Sequence, residues 1–126
     1  MLEKDFQILF NKWCKHVGQG TAAYELKLAR TDSLSFDVVV EHQVNALHNA
    51  KHGKVVFKIP DCGYQNPFDS FVLEGVPAYV VVMYMKHKKE FMIIDIDMWI
   101  HEKIASKRKS LTYERAKELG RVINIP

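Results

Sequence analysis

Segment 78–85 constrains the fold of this chain more than any other stretch. It contains Tyr79-Val80-Val81-Val82, a β-branched and aromatic run without polar alternation, the pattern of a central strand buried on both faces of a sheet. A basic turn, Lys86-His87-Lys88-Lys89, follows it, and Glu90-Phe91-Met92-Ile93-Ile94-Asp95-Ile96 then reads as a second strand paired with the first in a hairpin.

The remaining segments supply what such a hairpin must pack against. Between residues 2 and 17, Leu2, Phe6, Leu9, Phe10, Trp13 and Val17 recur at three- and four-residue spacing, which predicts an amphipathic helix ended by Gly18. Residues 21–28 read as a strand, followed by a polar connection over 30–33. Ser35 or Asp37 can cap a second helix running to about Ala50, with Val40, Val44 and Leu47 as its buried stripe and Gly53 as its stop. Residues 54–59 form a short strand between Gly53 and Pro60. Residues 61–67 are dense in turn formers, and 68–73 read as another strand. Asp97 is placed to cap a helix over 98–106, and Thr112 or Ser110 a last one through Leu119, closed by Gly120. The expected fold is a single α/β domain over residues 1–126, with a central mixed β-sheet flanked by helices.

Composition narrows the class of protein. A chain of 126 residues with 48% hydrophobic and 26% charged residues is ordinary for one globular domain. No apolar run approaches the length of a membrane span, and the start Met1-Leu2-Glu3-Lys4-Asp5 lacks the basic and apolar regions of a signal peptide, so a cytoplasmic protein without a membrane partner is expected. Cys14 and Cys62 have no metal-binding spacing and read as free thiols. The net charge of +3 agrees with a polyanionic partner. Lys86, Lys88 and Lys89 form one basic cluster, and Lys103, Lys107, Arg108 and Lys109 another. Each is either a solvated face or a set of phosphate contacts.

The chemistry centres on Tyr24-Glu25-Leu26-Lys27. Residues two apart in a strand share a face, so Glu25 and Lys27 stand side by side between the small Ala23 and Ala29. Hydrolysis of a phosphodiester needs an anionic oxygen to hold Mg²⁺ and a fixed cation to stabilise developing charge. An acid-x-Lys triplet is common by composition alone, so its meaning depends on further carboxylates. Asp61, Asp69, Asp95 and Asp97 are the candidates. Asp61 lies among turn formers, where Asp bonds nearby backbone, and capping accounts for Asp97. Asp69, in Pro67-Phe68-Asp69-Ser70-Phe71, has no packing reason to occupy an aromatic, strand-like setting and must be ligated or hydrogen-bonded. His48 and His52 have helical i,i+4 spacing, but no neighbouring cysteine or second acid motif supports zinc. Neither a Gly-x-Ser-x-Gly elbow nor a phosphate-binding P-loop is present.

Three segments together resemble the PD-(D/E)XK nuclease superfamily and, within it, the RecU/Hjc-type Holliday junction resolvases. Tyr24-Glu25-Leu26-Lys27 looks like the family's Glu-x-Lys strand. Leu34-Ser35-Phe36 followed by Glu41-His42-Gln43 is similar to the linker and His-Gln helix after it, and Lys107-Arg108-Lys109-Ser110-Leu111-Thr112-Tyr113-Glu114 to a basic segment near the domain's end. The resemblance implies a restriction-endonuclease-like fold and a Mg²⁺-dependent endodeoxyribonuclease, with Mn²⁺ a possible substitute. Its implied substrate is branched DNA, cut by a homodimer in recombination or repair in a bacterial or phage-infected cell. By the same resemblance Glu25 binds metal, Lys27 positions or activates water, Gln43 supports the site and Glu3 matches a first-helix acid. Lys86, Lys88, Lys89, Lys107, Arg108 and Lys109 are then the expected DNA contacts. Other nucleases on the same fold, or a non-catalytic nucleic-acid-binding module, are the alternatives. The family aspartate normally precedes the Glu-x-Lys strand, and none is found there. Asp69 looks like that element displaced, and pairing of strand 68–73 beside strand 21–28 would bring it to Glu25 as a permuted active site.

Overall fold

A computed structural model of the chain describes residues 2–18, 20–58 and 70–125. In order, the elements are α1 (Glu3–Val17), β1 (Ala23–Ala29), β2 (Ser33–Ser35), α2 (Glu41–His52), β3 (Lys54–Lys58), β4 (Ser70–Glu74), β5 (Ala78–Tyr84), β6 (Glu90–Asp95), α3 (Ile96–Ala105), β7 (Ser110–Thr112), α4 (Tyr113–Leu119) and β8 (Arg121–Asn124). The main sheet has the order β1-β5-β6-β8, with β1 and β5 parallel and the other neighbours antiparallel. It is a mixed sheet flanked by four helices, as expected. β2 pairs with β7 and β3 with β4 in two separate antiparallel ribbons.

The apolar run of β5 is central, and its alternate residues feed two cores. Val80, Val82 and Tyr84 join Met92, Ile94, Leu47, Trp99 and Ala116 on the face covered by α2, α3 and α4. Val81 and Met83 join Phe91, Ile93 and Ile123 under α1, which contributes Phe6 and Phe10. Phe10 and Trp13 both meet Phe91 edge-on, with ring centroids 5.7 and 5.4 Å away, a favoured aromatic arrangement. Gly18 closes α1 in the left-handed conformation, φ 64°, with its N–H donating to the Cys14 carbonyl, where a residue with a Cβ would be strained. Burial pushes the Cys14 thiol up. Cys62 lies outside the described residues.

Several local expectations need correction. The expected helix from Ser35 or Asp37 begins later: Ser35 Oγ caps a single 3₁₀ turn over Phe36–Val38, and α2 then starts at Glu41. Val40 consequently precedes the helix and is exposed rather than in its buried stripe. Asp95, not Asp97, caps α3, its carboxylate accepting the Asp97 N–H at 3.0 Å. Thr112 caps α4 as expected, accepting the Arg115 N–H at 3.3 Å. The strand over 68–73 begins at Ser70 among the described residues and pairs with β3; the neighbour of β1 is β5. No described helix is long and apolar enough to cross a membrane.

Candidate active site

β1 is an edge strand of the main sheet, and its side chains alternate as its sequence dictates. Tyr24, Leu26 and Leu28 pack under α1. Ala23 and Ala29 face the α2 side, so Glu25 and Lys27 between them turn towards that helix. A charged pair is tolerated there because β1 lies at the edge, where Glu25 and Lys27 keep 27% and 15% of their side-chain surface exposed. Lys27 Nζ stands 3.4 Å from Glu25 Oε1.

Gln43 completes a three-residue constellation. Its Nε2 donates to Glu25 Oε1 at 3.0 Å, while its own Oε1 accepts the Val40 N–H at 3.2 Å. The second bond satisfies a backbone donor that the start of α2 would otherwise leave unpaired. The amide is thereby held at both ends, and with it the orientation of the Glu25 carboxylate. Because Gln43 lies in the first turn of α2, Glu25 sits at the helix's amino end, where the helix dipole favours a negative charge.

Glu25 borders two hollows. One, of about 230 Å³, is lined by Glu25, His42, Gln43 and Leu47 together with Phe57 and Leu73 of the β3/β4 ribbon. The other, of about 420 Å³, opens at the β1 edge between Glu25 and the α1 residues Glu3, Lys4 and Gln7. Glu3 therefore does face the same cleft as Glu25. Both contacts of the Glu25 carboxylate described above fall on Oε1, so its second oxygen carries neither. A carboxylate so held, with a second one lining the same cleft, is the kind of donor set that Mg²⁺ takes, since that ion uses one or two carboxylates and fills its other positions with water or substrate oxygens. Asp69 and Asp61 lie outside the described residues.

The basic clusters gather at one end of the sheet. Ala29 of β1 stands beside Tyr84 of β5, so the turn carrying Lys86, Lys88 and Lys89 lies beyond the end of β1 to which Lys27 is nearer than Glu25. β7, which follows Lys107, Arg108 and Lys109, pairs with β2 just after β1. Contacts link the segments that carry the two clusters: the His87 and Tyr113 rings stack at 3.7 Å, and Tyr113 donates its N–H to the Asp32 carbonyl at 2.9 Å. All six side chains are exposed. Hollows of about 500 Å³ at Lys86, Lys88 and Lys89 and about 350 Å³ at Lys107 and Arg108 adjoin them.

One cluster escaped the sequence reading. Lys51 donates to Asp95 at 2.8 Å and to Asp97 at 2.6 Å, and His52 Nε2 lies 2.8 Å from Asp97 Oδ2. The i,i+4 histidine spacing was visible in sequence, but its acidic partner is 45 residues away and becomes a neighbour only when α3 packs on α2. Compared with family models, curated proteins and solved structures, the chain matches none of them. The family resemblance accordingly rests on its short sequence motifs alone.

Proposed function

We propose that the chain is a Mg²⁺-dependent, structure-selective DNA endonuclease that resolves four-way junctions. The observation that carries this reading is the convergence of Lys27 and Gln43, from a strand and a separate helix, on the Glu25 carboxylate, which borders a cleft that Glu3 also lines. An ordinary surface ion pair has no need of a glutamine anchored at both ends to orient its carboxylate.

In this mechanism Glu25 would hold the Mg²⁺, with Glu3 available from α1; Asp69 would join them on the family resemblance alone, since the strand that follows it pairs with β3 and not with β1. Bound Mg²⁺ supplies positive charge against the scissile phosphate and a site for water. Gln43 would fix the orientation of the Glu25 carboxylate at the cleft. Lys27, largely withdrawn from solvent, offers a fixed ammonium for the negative charge that builds on the phosphate as water attacks in line. The exposed lysines and Arg108 at the end of β1 serve as phosphate contacts that position the DNA arms. By family analogy the products carry 5′-phosphate and 3′-hydroxyl ends, and a twofold homodimer makes the paired cuts that a junction needs.

The test is to incubate the wild type and Lys27→Ala with Mg²⁺ on four-way junctions, linear duplexes and single strands. The wild type should cut junctions preferentially, and the variant should be slower by about 10²–10³-fold, the usual loss for a charge-stabilising group. Equal activity of the two proteins, or no cleavage by either, overturns the mechanism. Preference for linear duplex retains a nuclease and removes the resolvase.

A further inference from the structure

The junction of α2 and α3 carries a second cluster of ligand-type side chains, remote in chemistry from the carboxylate cleft. His48 and His52 lie one turn apart on α2, with ring centroids 4.7 Å apart. Asp97, in the first turn of α3, faces them, and one donor atom from each of the three lies within 4.8 Å of the other two. His52 Nε2 is 3.0 and 2.8 Å from the two Asp97 oxygens. Two ligands of a tetrahedral Zn²⁺, with bonds of about 2.0–2.1 Å, stand roughly 3.3 Å apart. The His52–Asp97 pair is already near that spacing, and His48, exposed on its helix, can close the remainder by side-chain rotation.

We propose that His48, His52 and Asp97 form a transition-metal site of the Zn²⁺ class that clasps α2 to α3. Two imidazoles and one carboxylate are the donor set such ions take, whereas Mg²⁺ and Ca²⁺ take oxygen ligands. Three protein ligands leave a fourth position for water.

The surrounding charges allow the ion. Lys51 bridges Asp97 Oδ2 and Asp95 Oδ1, so the ammonium need not leave for Asp97 Oδ1 to serve as ligand. Asp95 offsets the Lys51 charge, and Asp97 retains one negative charge against the ion. The Lys51–Asp97 ion pair and the His52–Asp97 hydrogen bond tie the two helices and already bring two of the ligand side chains together.

The site uses neither Glu25 nor Lys27, so it stands or falls separately from the nuclease reading. The full chain would be titrated with ZnCl₂ by calorimetry at pH 7.5, and with Co²⁺ to read coordination from its visible absorption. One ion per chain with micromolar affinity, a tetrahedral Co²⁺ spectrum and a rise in Tm with Zn²⁺ are expected. His48→Asn and His52→Asn should each weaken binding at least ~10-fold, while Glu25→Gln leaves it unchanged. Should a variant fold poorly, the imidazole ¹⁵N signals of His48 and His52 in the wild type give a direct readout, since both must shift together on adding Zn²⁺. Wild-type binding no tighter than that of the double histidine variant, loss of binding in Glu25→Gln, or unmoved imidazole signals overturns the site.

Discussion

Gln43 ties the start of a helix to the candidate chemistry, and its two roles separate by substitution. Its carbonyl oxygen accepts the Val40 N–H and its amide nitrogen donates to Glu25. Gln43→Glu keeps an oxygen for the cap and adds a charge that suits a helix N-terminus, but sets a carboxylate against Glu25. Gln43→Ala loses both bonds. Thermal melts should show Gln43→Ala less stable by about 1–2 kcal/mol, the usual cost of a lost cap, and Gln43→Glu less affected, because the retained cap bond and the helix-terminal charge partly offset its repulsion from Glu25. Junction cleavage should fall in both. Equal destabilisation of the two variants would remove the capping role, and full activity of Gln43→Glu would detach Gln43 from the site. Sequence alone exposed Glu25 and Lys27 through strand alternation, but periodicity left Gln43 ambiguous beside the α2 stripe. Only the short motif resemblance singled it out, because a contact between a strand and a later helix leaves no local pattern.

Legibility in the sequence followed the length and polarity of each element. β5 and β6 were readable because both carry long apolar runs that stay buried on both faces. The three-residue β2 and β7 and the four-residue β8 passed unread, since so few residues cannot establish a period. The cap of α3 was misplaced by two positions because Asp95 and Asp97 have equal propensity; Asp95 accepts the Asp97 N–H, while Lys51 from α2 bonds both carboxylates. Gly120, expected as a helix stop, also answers to packing: a Cβ there would lie 2.9 Å from the Ile93 carbonyl oxygen and from Ile94 Cγ1. α4 therefore turns into β8 in close contact with β6, and Gly120→Ala should destabilise by about 1–3 kcal/mol, as overpacking does, measured by urea unfolding; an unchanged midpoint would refute the close approach. The α3–α4 tie gives a pH signature. Arg115 bonds both Glu102 oxygens, at 2.7 and 3.1 Å, and holds the Glu102 carboxyl below its usual range. A lowered folded pKa gives stability that is present above the unfolded carboxylate value of about 4.3 and lost as pH falls through the folded value. Glu102→Gln should lower Tm at neutral pH and flatten the acid limb of the Tm profile, the difference from wild type vanishing at the acid end; a constant difference at all pH values would contradict the linkage.

At the scale of the whole molecule, charge is sorted along the sheet: the Glu3 and Glu25 carboxylates border the β1 cleft, and Lys86, Lys88, Lys89, Lys107, Arg108 and Lys109 lie at or beyond the far end of β1. That polarity suits a duplex arm running from the basic end to the carboxylates. Under the proposed nuclease reading, a chain of 14.6 kDa with one such cleft among its described residues would cut one strand at a time; resolving a junction would then take two clefts held in fixed relation, which a twofold dimer would supply. A mixing experiment isolates this dependence. Wild type and Lys27→Ala, unfolded and refolded together in equal amounts, would form wild-type, mixed and mutant dimers in a roughly 1:2:1 ratio by random pairing of identical interfaces. The mixed dimer carries one competent cleft, so junctions with it should be nicked on one strand and accumulate as nicked product, a species scarce with wild type alone. If the chain instead acts as independent monomers, the mixture yields the wild-type product pattern at half the rate. A denaturing gel with the two cleavable strands labelled separately distinguishes the outcomes, and the wild-type pattern would rule out paired cutting by a dimer while leaving the chemistry of each cleft intact.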